Sequence, residues 1–131
     1  MIGELIGEFK GKTTGIRVLA EGKMEGSDSG SGNIMGKEAT VMNTGVLMWM
    51  PNGVLMVEGN ATIITAEGEV VMVKVNGIGW STGKGWKQSA RGAAYFMTSS
   101  TKLASLNKIV GVWERESDEE GNYSLKAWAW K

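Results

Sequence analysis

Apolar and polar residues alternate along most of this chain, and the alternation is broken at regular intervals by turn residues. Between Val54 and Thr65, Leu55, Val57, Gly59, Ala61 and Ile63 share one face, opposite Glu58, Asn60 and Thr62. Between Glu69 and Trp80, Val71, Val73, Val75, Gly77 and Gly79 oppose Met72, Lys74, Asn76, Ile78 and Trp80. Gln88, Ala90, Gly92, Ala94 and Phe96 oppose Lys87, Ser89, Arg91, Ala93 and Tyr95. At the end, Tyr123, Leu125, Ala127 and Ala129 oppose Ser124, Lys126, Trp128 and Trp130. A period of two is the mark of a strand with one covered face.

Turn signals separate these runs every 10 to 14 residues or so, the spacing of an antiparallel meander. The sharpest is Met50-Pro51-Asn52-Gly53-Val54, flanked by two copies of Gly-Val-Leu-Met at 45–48 and 53–56, which reads as a symmetric hairpin. Ala66-Glu67-Gly68-Glu69, Ser81-Thr82-Gly83-Lys84-Gly85 and Asp118-Glu119-Glu120-Gly121-Asn122 are further turns. Gly11-Lys12 is expected to separate the first two strands, and Gly26-Ser27-Asp28-Ser29-Gly30-Ser31-Gly32-Asn33 to form a flexible loop. Strands are therefore expected near 3–10, 13–24, 34–49, 54–65, 69–80, 86–97, 108–117 and 123–130. Gly36 and Gly45 predict a bend or bulge in the third. Residues 99–107, with a hydroxyl cap and good formers, predict a short helix.

Eight strands with short links predict one all-β domain over 1–131, an eight-stranded antiparallel up-and-down β-barrel with one short helix. Closure removes exposed strand edges, and a barrel of this size is either packed solid or holds one small ligand.

Composition narrows the chemistry. The chain has 131 residues, no cysteine and no histidine. Disulfides, thiolate metal sites and imidazole-based nucleophilic machinery are excluded, and neither metal nor other cofactor is expected. Any catalysis would fall to carboxylates, Lys, Arg, Tyr or backbone groups. Lys and Arg number 14, matching 14 Asp and Glu. A net charge of zero gives no pull toward a polyanion, so Lys84-Gly85-Trp86-Lys87 with Arg91 is not expected to bind nucleic acid. The Gly/Ser run lacks the strand-to-helix setting of a phosphate loop. Asp118-Glu119-Glu120 lacks the ligand spacing of a calcium loop. No signal peptide or apolar run of about 20 residues is seen, and charges on nearly every strand oppose a lipid-facing barrel. The expected location is the cytoplasm, away from membranes.

Thr98-Ser99-Ser100-Thr101-Lys102-Leu103, Leu106-Asn107, Val110-Gly111-Val112-Trp113-Glu114, Asp118 to Asn122 and Lys126 to Lys131 resemble a group of small uncharacterised prokaryotic proteins. With Gly77-Ile78-Gly79 and Arg91-Gly92, the layout is similar to the allene-oxide-cyclase-like, calycin-like barrels. The resemblance, strongest over 58–131, implies a barrel that in some relatives holds a ligand cavity. Some proteins of that fold are cyclases, but no cyclase motif is present here to carry over.

Strand phase decides the site, because a one-residue shift exchanges lumen and surface. With the apolar sets inward, the lumen is a packed core and the charges face water. With the opposite phase, Glu58, Lys74, Arg91, Tyr95 and Glu114 line a polar lumen as ligand-binding or acid/base candidates. Two readings follow. The first is a barrel that binds a small apolar or amphipathic molecule, or serves as a structural, self-associating module. The second is a cyclase or isomerase using carboxylate, Tyr and Lys/Arg groups. Trp128 and Trp130 on the outer face of the last strand predict a homo-oligomer, most simply a two-fold dimer.

Overall fold

Each of the eight strands pairs antiparallel with its sequence neighbour, and the last returns to the first. This computed structural model describes residues 2–131. The strands are β1 (Ile2–Ala20), β2 (Lys23–Ile34), β3 (Lys37–Trp49), β4 (Leu55–Thr65), β5 (Val70–Ser81), β6 (Gln88–Thr98), β7 (Val110–Ser117) and β8 (Asn122–Trp130). The result is the closed up-and-down barrel that the alternation predicts.

The phase follows from the cost of burying unpaired charge. Leu55, Ile63, Val71, Val73, Ala94, Ala127 and Ala129 are buried, while their sequence neighbours Glu58, Lys74 and Arg91 are exposed. Apolar residues therefore line most of the lumen. No helix among the described residues is long and apolar enough to cross a membrane.

Three local expectations are corrected. Gly11-Lys12 is not a turn. β1 runs through it and pairs Gly11 with both Gly30 and Tyr123, and the chain reverses instead at Glu21-Gly22, where Gly22 has φ +72°. The Gly/Ser run at 26–33 is not a loop but the body of β2. Its glycines face inward, and at Gly30 and Gly32 a side chain would collide: a Cβ on Gly30 would lie 2.6 Å from the Tyr123 hydroxyl and from the Lys10 carbonyl oxygen. Finally, β3 keeps unbroken register through Gly45, while Gly36 lies in the turn before it and the irregularities fall in β1.

The predicted helix at 99–107 shrinks to a 3-10 turn over Ala104–Lys108 with no side-chain cap. Ser100 donates to the Glu69 carboxylate and its Oγ accepts from the Leu103 N–H at 3.3 Å, which fixes the turn ahead of the 3-10 segment and not its first residue. Leu103 and Leu106 are wholly buried and plug one end of the barrel. Asn107 clamps this plug to β6, accepting from the Thr98 N–H at 2.8 Å and donating to its carbonyl at 2.9 Å. Ile6, Ile34, Val71 and Trp113 pack into one core with the plug, so that end is solid.

Candidate functional site

The other half of the lumen is not filled. A cavity of about 170 Å³ lies there, walled by Leu47, Val57, Ala61, Val75, Ala90 and Phe96 among others. Small residues create the space. Gly26, Gly45 and Gly59 are consecutive cross-strand partners on β2, β3 and β4, and a Cβ on Gly26 would meet nothing closer than 4.0 Å.

Polar side chains gather in this cavity. Asp28 on β2 is buried, and Arg115 on β7 donates to its Oδ2 from Nη1 at 2.8 Å. Asn43, the cross-strand partner of Asp28, donates from Nδ2 to the same oxygen at 3.4 Å. Its Oδ1 is buried without a hydrogen-bond partner, over Gly59. The Arg115 guanidinium lies 4.2 Å from the centre of the Tyr123 ring, a cation–π contact. Burial, with the Asp28 charge next in effect, pushes the Tyr123 phenol above its ordinary value of 10.0. Tyr123 therefore keeps its proton, and its hydroxyl is available as a donor in the cavity.

The cluster occupies inward positions that follow the strand phase. Trp113, Arg115 and Ser117 alternate on β7 with the outward Glu114 and Glu116, and Tyr123 heads the inward set of β8. At the mouth, Gln88 and Thr13 add polar groups, and Trp86 leans over the opening. The Ser117 hydroxyl holds that loop by donating to the Trp86 carbonyl at 2.6 Å.

The five residues singled out from the sequence lie elsewhere. Glu58, Lys74, Arg91, Tyr95 and Glu114 all stand on the outer wall, because the apolar phase took the lumen. Arg91 and Glu114 face each other at 3.8 Å, Arg91 also meets Glu116 at 3.3 Å, and Lys126 meets Glu8 at 3.6 Å. These form a solvated ladder of alternating sign, each contact worth under about 1 kcal/mol. Glu58, Lys74 and Tyr95 join neither that ladder nor the lumen cluster. Trp130 is exposed beside Ile2, and Trp128 is half-buried with Leu5 across from it. Among the described residues no His, Cys, Asp or Glu cluster could hold a metal ion.

No family model matches the chain, and no curated protein matches it by sequence. Solved structures do. A beta-barrel like protein from Acinetobacter baumannii superposes with a TM-score of 0.82 at 12% identity, covering 100% of this chain and 96% of that one. A protein of unknown function from Clostridium acetobutylicum gives 0.81 at 16% identity, covering 98% of each chain. What is shared is the barrel. A more distant match, an enzyme from Penicillium herquei, gives 0.60 at 16% identity, covering 95% of this chain and 93% of that one. Identities this low carry the fold and nothing of the site.

Proposed function

We propose that this barrel binds a small, mostly apolar molecule in its lumen, in the cytoplasm, with the Asp28–Arg115–Tyr123 cluster orienting one polar end. The observation that supports this most directly is an ion pair set into the wall of a mostly apolar cavity. Burying two charges costs several kcal/mol each and is weak evidence of a stability role. Few convergent polar groups in an apolar concavity are the usual make-up of a ligand site. An apolar cavity of about 150 Å³ takes up benzene, so a single-ring molecule suits this volume. Because the two charges neutralise each other, a neutral head group fits better than an ion. Arg115 uses Nη1 on Asp28, and its remaining N–H groups suit a carbonyl or hydroxyl oxygen.

Acetophenone, ethylbenzene and benzoate are matched probes. Trp86 and Trp113 line the cavity, so binding is read as a change in tryptophan fluorescence and as a raised melting temperature. Acetophenone is expected to bind most tightly, and Val57→Phe, which fills the cavity, to abolish the signal. Failure of all three probes on the folded protein would remove the reading.

A second reading is a cyclase or isomerase, as some allene-oxide-cyclase-like barrels are. It is favoured by the Tyr phenol held protonated beside a carboxylate and a guanidinium. The chemical types are those expected from the sequence, at different positions. Here Tyr123 would donate a hydrogen bond to a developing oxyanion while Arg115 steadies its charge. Turnover that Tyr123→Phe abolishes while acetophenone binding persists would favour this reading over simple binding.

A further inference from the structure

The wall formed by β3 to β6 carries an apolar surface that the lumen site does not use. Met42, Met48, Met56, Met72 and Met97 point outward there, with exposures from 42% to 64%. They are five of the nine methionines in the chain, on strands whose inner faces line the core and the cavity. Register places them in two bands. Met42, Thr62, Met72 and Met97 run across the four strands at one level, and Met48, Met56 and Ile78 run across β3 to β5 at another.

Two charges sit between the bands. Glu58 pairs across strands with Asn76, and Lys74 with Asn60, so the two lie diagonally on adjacent β4 and β5. Among the described residues neither makes an ion pair, although Arg91 at the β6 edge of the wall and Glu8, Glu114 and Lys126 beyond it do. Opposite charges set among Asn60 and Asn76 between two apolar bands, close but unjoined, form a self-complementary pattern.

We propose that this wall is where a second copy of the chain docks, with Glu58 of each copy against Lys74 of the other. A two-fold axis lying in the interface and passing between Glu58 and Lys74 makes that contact twice. The same operation lays the Met72–Met97 side of the patch on the Met48–Met56 side of the partner, so apolar surface meets apolar surface. Self-complementarity of this kind is what an isologous dimer requires. Methionine adapts its shape to such contacts. Four strands about 4.8 Å apart and four outward positions about 6.7 Å apart give a footprint of about 500 Å² per copy. Those four strands are half of a closed barrel and curve away from a partner, so two copies bury less than about 1,000 Å², the lower bound for a specific interface, and the dimer is expected to be weak and concentration-dependent. The expected self-association thus moves from Trp128 and Trp130 to the opposite side of the barrel. There, two of the residues first considered for the lumen, Glu58 and Lys74, set its register.

Sedimentation velocity over a range of about 5 to 500 µM tests this, within the range that a weak interface demands. The wild-type chain is expected to pass from monomer to dimer. E58K places Lys against Lys twice and K74E places Glu against Glu twice, so each should weaken association at least tenfold. The double variant E58K/K74E restores both contacts and should restore the dimer. All three changes are on exposed side chains, and an unchanged melting temperature shows that the fold is intact. A monomer at every concentration overturns the proposal. So does a dimer indifferent to the single reversals, or one that Trp130→Ser dissolves instead.

Discussion

Arg115 and Asp28 are 87 residues apart in sequence, yet Nη1 of one lies 2.8 Å from Oδ2 of the other, the guanidinium crossing the lumen over the ring of Tyr123. The pair is asymmetric. The Asp28 side chain is 7% exposed and that of Arg115 is 25% exposed, toward the mouth.

That asymmetry predicts unequal losses. Arg115→Met leaves a buried carboxylate without its charge partner and should destabilise the barrel by about 3–5 kcal/mol. Asp28→Asn leaves a guanidinium that reaches water through the mouth, and should cost less. Replacing both, as Asp28→Leu with Arg115→Met, should recover most of the loss, since an apolar pair fills the same space without desolvated charge. Urea denaturation of the three variants gives the ordering, and equal losses in the two single variants would contradict it.

The inward glycines predict a contrast between two substitutions on one strand. Gly30→Ala puts a Cβ 2.6 Å from both the Tyr123 hydroxyl and the Lys10 carbonyl oxygen, and the latter cannot give way. The expected loss is at least about 1–3 kcal/mol, the cost of overpacking. Gly26→Ala meets nothing nearer than 4.0 Å, because its Cβ enters the cavity. It should be neutral or slightly stabilising through the unfolded chain. Thermal melts of the two variants separate a glycine that seats a side chain from one that makes a cavity.

Those glycines also explain what the sequence could and could not show. On β4, β5, β6 and β8 the alternation is clean, and the inward faces read from it are the observed ones. β2 has no such contrast. Gly30 and Gly32 are small because Tyr123 and the β1 backbone press against them, and Gly26 opens on the cavity, so the strand looks like a linker. The lumen cluster was hidden for a related reason. Asp28 stands in that linker-like run, and nothing local joins it to Arg115. Glu114 drew attention instead of its neighbour Arg115. One signal was available, since Arg115 shares the alternate positions of Gly111 and Trp113, both buried.

Acid should act first at the plugged end. Lys37 bridges Glu67 at 3.2 Å and Glu69 at 2.8 Å, and Lys102 also reaches Glu67. The hydrogen bond from Lys102 leads in holding Glu67 below its ordinary value of 4.5, and that from Lys37 leads for Glu69. Groups with lowered folded values add stability that is whole above the unfolded value and fades as pH falls through the folded one. The network's contribution is therefore complete above pH 4.5 and is lost below it. Glu69→Gln should flatten the melting-temperature profile below pH 4.5, and an unchanged profile would show that the network is idle.

Tyr123 supplies the alkaline counterpart. Its phenol lies against Gly11 and Gly30, with the Arg115 guanidinium over its ring, and faces the Asp28 charge. Burial and that charge raise its folded value, so the folded state keeps a proton that the unfolded chain releases around pH 10.0. Stability must then fall as pH rises above 10.0, the sign being set by the extra proton on the folded side. In Tyr95→Phe, Tyr123 is the sole tyrosine, since the chain has two. Ultraviolet titration of that variant should show no phenolate as pH passes through 10.0, and then a rise that coincides with unfolding by circular dichroism. Ionisation near pH 10.0 in a folded barrel would mean that water reaches the hydroxyl freely. The phenol would then be no fixed donor, and the catalytic reading of the lumen would lose its basis. Asp28→Asn removes the facing charge and should lower the transition, which separates the charge from burial alone.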